Sequence, residues 1–194
     1  MTSHYARQWT LTPSVPAGAS LLNDLEKILR LAPQWNVKSL RIEGSLGADR
    51  DFELDVEYDR SGTEISFSGK VEQFIPRNAL GIVLTSPAQK VDFVMELTDR
   101  PHGRLVSFHI RSLPPPAVSD LREYDLWARS ILNYLKISES RFLPVRMWKW
   151  FLDRWWLNMT QSGKRITFFI VVSEGFSLVF LVALLLWWKF FPIP

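Results

Sequence analysis

Carboxylates and histidines are the side chains of this sequence that could carry out acid–base or metal chemistry. Four carboxylates alternate along one predicted strand, at Asp51, Glu53, Asp55 and Glu57. Alternate residues of a strand lie about 6.5–7 Å apart on the same face, so these four side chains share one exposed face. We interpret them as a solvated face. A docking surface for a basic partner is the alternative, and a metal or acid–base site is disfavoured.

The three histidines lack the spacing of a metal site. His4 lies near the start of the chain, where we expect fraying, His102 lies in a predicted turn, and His109 lies on a strand with its side chain directed to solvent. The sequence contains no cysteine, no Gly-rich phosphate loop and no Gly-x-Ser-x-Gly motif. We therefore expect a protein without enzymatic activity, catalytic residues or a bound metal.

One further carboxylate, Glu174, lies inside a long apolar stretch near the C-terminal end. The 23 residues from Ile166 to Trp188 contain no other ionisable side chain. As a helix they would reach roughly 34 Å, which is enough to cross a bilayer core of about 30 Å. This length predicts one transmembrane helix over residues 166–189, with Lys164 and Arg165 at its start. A buried core helix is the alternative.

A charged side chain this deep in a membrane costs a few kcal/mol, so an inert anchor would have no reason to carry Glu174. Ser173 and Ser177 lie one turn apart beside it and give the helix one small, polar side. Such a side packs against another helix. The pattern predicts contact with a partner helix through Ser173, Glu174 and Ser177. A protonated glutamic acid tolerated in a lone helix is the alternative.

The positive charge of the chain is concentrated just before this stretch. Residues 1–140 carry 16 Lys and Arg against 18 Asp and Glu, whereas residues 141–165 carry six against one. A basic juxtamembrane segment suits anionic lipid headgroups, and the near-neutral domain disfavours nucleic-acid binding. The first twelve residues lack an apolar signal-peptide core. We therefore expect a tail-anchored, single-pass protein with its N-terminal domain in the cytoplasm.

Residues 141–165 combine tryptophans with basic residues. On a helical wheel, one face carries six apolar side chains, five of which we assign to the membrane interface: Trp148, Phe151, Leu152, Trp155 and Trp156. This composition is typical of a helix that lies in the interface, flanked here by Lys164 and Arg165. The alternative is that the tryptophans contact another protein subunit. We expect Ser162 and Gly163 to break the helix before the span.

The remaining residues, 1–140, read as one domain. A short strand at 8–12 precedes a helix that we expect Ser20 to cap, with apolar residues from Leu21 to Leu29. Alternating apolar residues then predict six strands, at 37–44, 50–59, 63–72, 79–85, 91–97 and 105–112. A long helix is predicted from about Ser119 or Asp120, and its wide apolar stripe should pack across the sheet.

This order of elements resembles the helix-grip fold of the START, polyketide-cyclase and Bet v 1-like (SRPBCC) superfamily. Three local features accompany it: Pro16-Ala17 after the first strand, Pro33 and Trp35 after the first helix, and the segment 72–76 before an apolar strand. The resemblance covers about residues 5–137. It implies an α+β fold with a curved antiparallel sheet of about seven strands around a long C-terminal helix.

The resemblance also implies a cavity between sheet and helix that holds an apolar molecule such as a lipid or a quinone. The residues that would line it are the inward members of the stripes: Phe67, Phe93, Met95, Phe108, Trp127 and Ile131. The alternative is that these side chains fill a core, because cores consist of such stripes.

These observations predict a helix-grip domain (residues 1–140), an interfacial helix (141–165), a transmembrane helix (166–189) and a short tail (190–194). We interpret the chain as a non-enzymatic accessory or assembly subunit of a membrane complex, for example in electron transport or photosynthesis. Its partners would be membrane lipids and integral membrane subunits. The alternative function is a membrane-tethered carrier of a lipid or quinone.

Overall fold

Seven antiparallel strands form a single sheet. The structure is a computed structural model that describes residues 3–11, 20–59, 61–101, 103–114, 118–140 and 142–190. The sheet order is β1-β7-β6-β5-β4-β3-β2. The strands are β1 (Ser3–Leu11), β2 (Trp35–Ile42), β3 (Arg50–Tyr58), β4 (Glu64–Ile75), β5 (Ala79–Thr85), β6 (Lys90–Arg100) and β7 (Gly103–Leu113).

The alternation of apolar and polar residues decides which face of each strand is buried. In β3, Phe52, Leu54 and Val56 are buried, while the acidic residues between them face outward. The register shifts between Val37 and Ser39 in β2 and again between Val71 and Gln73 in β4. Such bulges bend a strand and increase its twist, so they curve the sheet around its apolar face.

The long helix α2 (Val118–Glu139) packs against that apolar face. Its buried stripe has helical spacing and comprises Tyr124, Trp127, Ala128, Ile131, Leu132 and Leu135. The Trp127 ring stacks on Phe93 of β6 at 4.6 Å between centroids and meets Trp35 of β2 edge-on at 5.7 Å. The predicted α+β helix-grip architecture is confirmed.

Helix α1 (Leu25–Arg30) is shorter than the sequence predicted, because residues 20–21 are helical but a turn separates them from α1. Ser20 is not its cap, because Asp24 occupies that position and accepts a hydrogen bond from the Lys27 amide at 2.9 Å. Residues 22–24 turn the chain before α1 begins. An aspartate accepts a helix-terminal N–H as well as a serine does, and here the aspartate adjoins the buried Leu25, Ile28 and Leu29.

Six of the seven strands have ends that differ from the sequence prediction, and β1 and β4 show the cause. Strand β1 begins at Ser3 rather than at residue 8, because it pairs with β7 along its whole length. Strand β4 continues to Ile75 rather than ending at residue 72, because the bulge after Val71 restores its pairing with β5. Tertiary pairing therefore extends both strands beyond their alternating segments.

Two further helices follow α2. Helix α3 (Leu143–Arg154) leads through a 3-10 turn (Trp156–Asn158) to α4 (Gln161–Phe190). The predicted break at Ser162 and Gly163 is wrong, because both residues lie inside α4. The Thr160 hydroxyl accepts a hydrogen bond from the Gly163 amide at 3.2 Å and so caps the helix one turn earlier.

The chain forms two compact units, residues 1–157 and 158–194. The predicted division into residues 1–140, 141–165, 166–189 and 190–194 stays a prediction. Several predicted features lie outside the described residues: the Pro16-Ala17 motif, the turn at His102 and residues 191–194 of the tail. The same holds for the side chains of Ser119 and Asp120 that were expected to cap α2.

Candidate functional site

The acidic face of β3 is paired with its neighbours across the sheet. Asp55 accepts hydrogen bonds from the hydroxyls of Ser39 at 2.7 Å and Ser66 at 2.6 Å, which lower the pKa of its carboxyl. Glu57 forms an ion pair with Lys38, and Glu53 lies 3.7 Å from Arg41. In the described part of the chain, no group of three or more His, Cys, Asp or Glu residues could hold a metal ion. The geometry fits a solvated, ion-paired face.

Two of the three histidines lie together, although they are 105 positions apart in the sequence. His4 belongs to β1 rather than to a frayed end, and its ring stacks on His109 of β7 with centroids 5.4 Å apart. Nδ1 of His109 lies 3.4 Å from Nε2 of His4. Pairing of β1 with β7 brings them together, which local sequence could not reveal. Two imidazoles alone do not complete a metal site.

The six residues expected to line a ligand cavity all lie in the hydrophobic core. Each of them is at most 2 % exposed: Phe67, Phe93, Met95, Phe108, Trp127 and Ile131. The Phe93 ring contacts those of Phe108 and Trp127, and the indole N–H of Trp127 donates to the Ile28 carbonyl at 2.9 Å. The centre of the grip is therefore packed with side chains. Whether any of these residues touches a ligand stays a prediction.

A pocket of about 340 Å³ lies where the start of β2 meets the β3–β4 turn, the β5–β6 loop and the first turns of α2. Four lining residues are apolar: Trp35, Ile65, Ala88 and Val91. Polar side chains complete the lining: Gln34, Tyr58, Ser61, Thr63, Gln89, Glu123 and Tyr124. Sequence reasoning missed this pocket, because its lining comes from four separated segments.

Gln34 contributes to the lining of this pocket and carries a buried polar atom without a partner. The residue is 9 % exposed, and its Oε1 atom has no hydrogen-bond partner in the described part of the chain. Gln89, by contrast, donates its amide to the Tyr58 hydroxyl at 3.1 Å. Burying a carbonyl oxygen without a donor costs about 1–3 kcal/mol, and a bound molecule with an N–H or O–H group would recover this if the Gln34 side chain turned toward the pocket.

A carboxylate on α2, Asp125, ties the helix to the edge strand β1. It accepts hydrogen bonds from the Tyr5 hydroxyl at 2.8 Å and from Arg129 at 2.6 Å, and Arg7 lies 3.6 Å away. Burial alone would raise the pKa of Asp125, but these partners lower it. A second carboxylate, Asp153 of α3, accepts from the Tyr134 hydroxyl of α2 at 2.6 Å. These two contacts hold β1 and α3 on opposite ends of α2.

The two tyrosines predict a loss of stability at high pH. Burial, and then the hydrogen bonds to Asp125 and Asp153, raise the pKa values of Tyr5 and Tyr134 from 10.0 to about 12. Their contribution is therefore complete below pH 10 and is lost as the pH rises through about 12. We expect the urea midpoint to fall over this window, and to fall less in the Tyr5→Phe, Tyr134→Phe double variant. If the urea midpoint falls equally steeply with pH in the wild type and in the double variant, this prediction is contradicted.

The residues expected at the membrane interface do not share one exposed face in the structure. Trp148 and Trp155 are exposed, whereas Phe151, Leu152 and Trp156 are half-buried. Trp148 stacks on Phe151 at 5.4 Å, and Phe151 contacts Trp156 at 6.2 Å. Lys164 and Arg165 lie in the second turn of α4. Their contact with a membrane stays a prediction.

Helix α4 is the one helix in the described ranges that is long and apolar enough to span a membrane. The qualifying segment runs over Ser162–Leu185, 24 residues, and none of its apolar window is buried within the chain. Ser173, Glu174 and Ser177 are exposed on it. The Ser177 hydroxyl donates to the Ser173 carbonyl at 3.0 Å, which satisfies the hydroxyl within the helix and leaves a small lateral surface.

Comparison with known proteins identifies the fold alone. No family model and no curated protein matches the sequence. Among solved structures, ginseng major latex-like protein 151 from Panax ginseng has a TM-score of 0.51 and 12 % identity over 69 % of this chain and 97 % of its own. A Staphylococcus aureus protein of unknown function has a TM-score of 0.52 and 10 % identity over 71 % and 96 %.

A third similar structure is the di-domain ARO/CYC protein StfQ from the steffimycin biosynthetic pathway. Its TM-score is 0.52 with 12 % identity, over 70 % of this chain and 50 % of StfQ. The similar structures thus include a protein from a biosynthetic pathway alongside one of unknown function, and they leave the activity of this chain open. The chain has the α+β helix-grip fold of major latex-like and ARO/CYC proteins, followed by one helix apolar enough to cross a membrane.

Proposed function

We propose that this protein is a non-enzymatic, membrane-anchored subunit that docks to integral membrane partners through α4. The observation that supports this most is the exposed apolar surface of α4, which carries Glu174 beside Ser173 and Ser177. Lipid tails cover apolar side chains but leave a carboxyl group without a hydrogen-bond partner. A neighbouring helix would supply that partner and fit closely against the small serines.

The packed interior of the domain also supports a structural role. Trp127 fills the space between sheet and helix, and its rings and N–H are already engaged by the protein. The domain then serves as a rigid cytoplasmic module held at the membrane, in the orientation favoured by the basic residues before α4. Electron-transport and photosynthetic assemblies are examples of complexes that such a subunit would serve.

The test is to purify the full chain from its native membrane in mild detergent. We expect the wild type to retain integral membrane partners in stoichiometric amounts, and Glu174→Leu to lose them. Val179→Leu, a conservative change on the other side of α4, is the matched control and should retain them. A wild type that purifies alone, or a Glu174→Leu variant that keeps the same partners, would contradict the proposal.

A second candidate function, binding of a lipid or quinone, is favoured by the unpartnered Gln34 in the pocket at the end of the sheet. A molecule with an apolar body would lie on Trp35 and Ile65, while its hydroxyl or N–H group would satisfy Oε1 of Gln34 once that side chain turns toward the pocket. Extraction of the purified protein into organic solvent, followed by mass spectrometry, should then release a stoichiometric lipid or quinone.

Gln34→Met separates the two candidate functions. If the pocket is empty, removing the buried oxygen should raise the free energy of unfolding by about 1 kcal/mol. If the pocket holds a ligand, the variant should lose that ligand and gain no stability. Gln89→Met is the control, because the Gln89 amide already donates to Tyr58 and its removal should not stabilise the protein. Urea unfolding, paired with the extraction, measures both effects.

A further inference from the structure

Helix α3 presents an exposed apolar stripe that the domain does not cover. Leu143, Met147 and Trp150 recur at the spacing of one helix face and are 67 %, 65 % and 64 % exposed. They surround a shallow hollow of about 430 Å³ that Arg146 and Phe151 complete. Large apolar side chains clustered on one face in this way mark an interaction surface, since single exposed apolar residues would be scattered.

The opposite face of α3 is fastened to the domain, which fixes the direction of the stripe. Asp153 accepts the hydrogen bond from Tyr134 and lies 3.6 Å from the Lys27 ammonium. Lys149 lies over the Tyr134 ring at 5.9 Å from its centroid. Leu152, between these two attachments along the helix, is half-buried. Rotation of α3 to bury Met147 or Trp150 would break all of these contacts.

The charges around the stripe indicate what covers it. Asp153 is the one carboxylate of α3, and it is committed to Tyr134 and Lys27 on the domain side. Arg146 lines the hollow itself, and Arg154 follows at the exposed C-terminal turn. Apolar side chains beside the exposed Arg146 guanidinium group suit an anionic lipid surface, where apolar atoms enter the acyl region and an arginine reaches the phosphates.

The chain sequence keeps α3 close to the segment that would enter the bilayer. Only residues 155–160 separate the end of α3 from α4. Six residues span at most about 20 Å even when fully extended. An amphipathic, basic helix so near a span is attracted to anionic headgroups by roughly 1 kcal/mol per basic residue.

We propose that Leu143, Met147, Trp150 and Arg146 form a contact surface for anionic phospholipid. This inference rests on the proposed anchoring of α4, because anchoring brings α3 to a membrane. This contact surface differs from the membrane-facing side of the helix expected from the sequence, since Phe151, Leu152 and Trp156 of that side are half-buried. The lipid-facing direction is thus rotated relative to the sequence expectation, and the Asp153–Tyr134 contact sets the rotation.

The absence of cysteine from the sequence permits a direct test on the full chain. Met147→Cys and Trp150→Cys are spin-labelled separately in nanodiscs of phosphatidylcholine, with or without phosphatidylglycerol. Ser130→Cys, at a half-buried position of α2, is the reference for the domain surface, and Val179→Cys reports the span. Collision with oxygen, which concentrates in lipid, is compared with collision with a water-soluble nickel chelate.

We expect labels at 147 and 150 to collide with nickel several-fold less than the label at 130, and with oxygen more. Phosphatidylglycerol should strengthen this difference, and Arg146→Glu in the Met147→Cys protein should weaken it. If the labels at 147 and 150 are as accessible to nickel as the label at 130, while the label at 179 stays in lipid, the proposed lipid-contact surface is contradicted but the anchoring of α4 is not. If the labels at 147 and 150 are shielded from both oxygen and nickel, they contact protein rather than lipid, which would also contradict the proposed surface. Nickel access at 179 would instead contradict the proposed anchoring.

Discussion

Trp127→Ala should lower the free energy of unfolding of the domain by about 3–5 kcal/mol, the range for removing a large aromatic side chain from a core. The ring is fully buried between Phe93 and Trp35, so its loss leaves a cavity lined by side chains from sheet and helix. The same change leaves the Ile28 carbonyl without its donor. Urea unfolding of the full chain in mild detergent, followed by limited proteolysis of the domain, measures the effect.

Two variants locate the origin of this loss. Leu126→Ala changes the adjacent residue, which is 42 % exposed, and should cost well under 1 kcal/mol. Trp127→Phe retains most of the apolar volume and should cost about 1–3 kcal/mol, mainly through the orphaned carbonyl. A Trp127→Ala protein as stable as Leu126→Ala would show that the grip interior is open rather than packed. That result would favour the ligand-binding candidate function.

Gly103→Ala should destabilise the domain by about 3 kcal/mol or more, because backbone strain and a direct clash add together. Gly103 begins β7 with φ +148°, a conformation that residues with a Cβ rarely adopt. A Cβ placed there would lie 2.1 Å from the Leu11 carbonyl oxygen of β1. Because the obstacle is backbone, relief requires β1 and β7 to separate at this end.

Gly47→Ala is the matched control for this substitution. Its Cβ would meet no atom closer than 3.9 Å, so we expect a change within about 0.5 kcal/mol. Hydrogen exchange should show faster opening of β1 in Gly103→Ala, with the centre of the sheet less affected. An unchanged exchange rate in β1 would contradict the account of the clash.

The fold could be predicted from the sequence because its strands face solvent on one side and the core on the other. The clean alternation around Phe52, Leu54 and Val56 predicted β3 almost to its ends. The ends of β1 and β4 escaped prediction because pairing with β7 and a bulge at Val71 determine them. The helix break was misplaced because the Thr160 hydroxyl caps α4, so that Ser162 and Gly163 lie in its first turn.

The candidate site was less accessible to sequence reasoning. Aromatic stripes identify side chains that face inward but do not show whether those side chains enclose space, and Phe93 and Trp127 in fact touch. The Gln34 pocket depends on segments brought together only by the folded sheet. The exposed direction of α3 depends on Tyr134 and Asp153, which are 19 positions apart on different helices. A helical-wheel projection of α3 alone contains no information about that contact, so it could not predict which face of α3 is exposed.

The pairing of the first strand with the last one has a consequence for synthesis of the protein on the ribosome. Strand β1 obtains its sheet partner only after β7, residues 103–113, has emerged, and Tyr5 obtains Asp125 later still. The intervening strands can form hairpins with sequence neighbours in the meantime, whereas closure of the sheet waits for these distant contacts. Since α4 begins only 48 residues after β7 ends, the domain has little time to close before the apolar helix itself emerges.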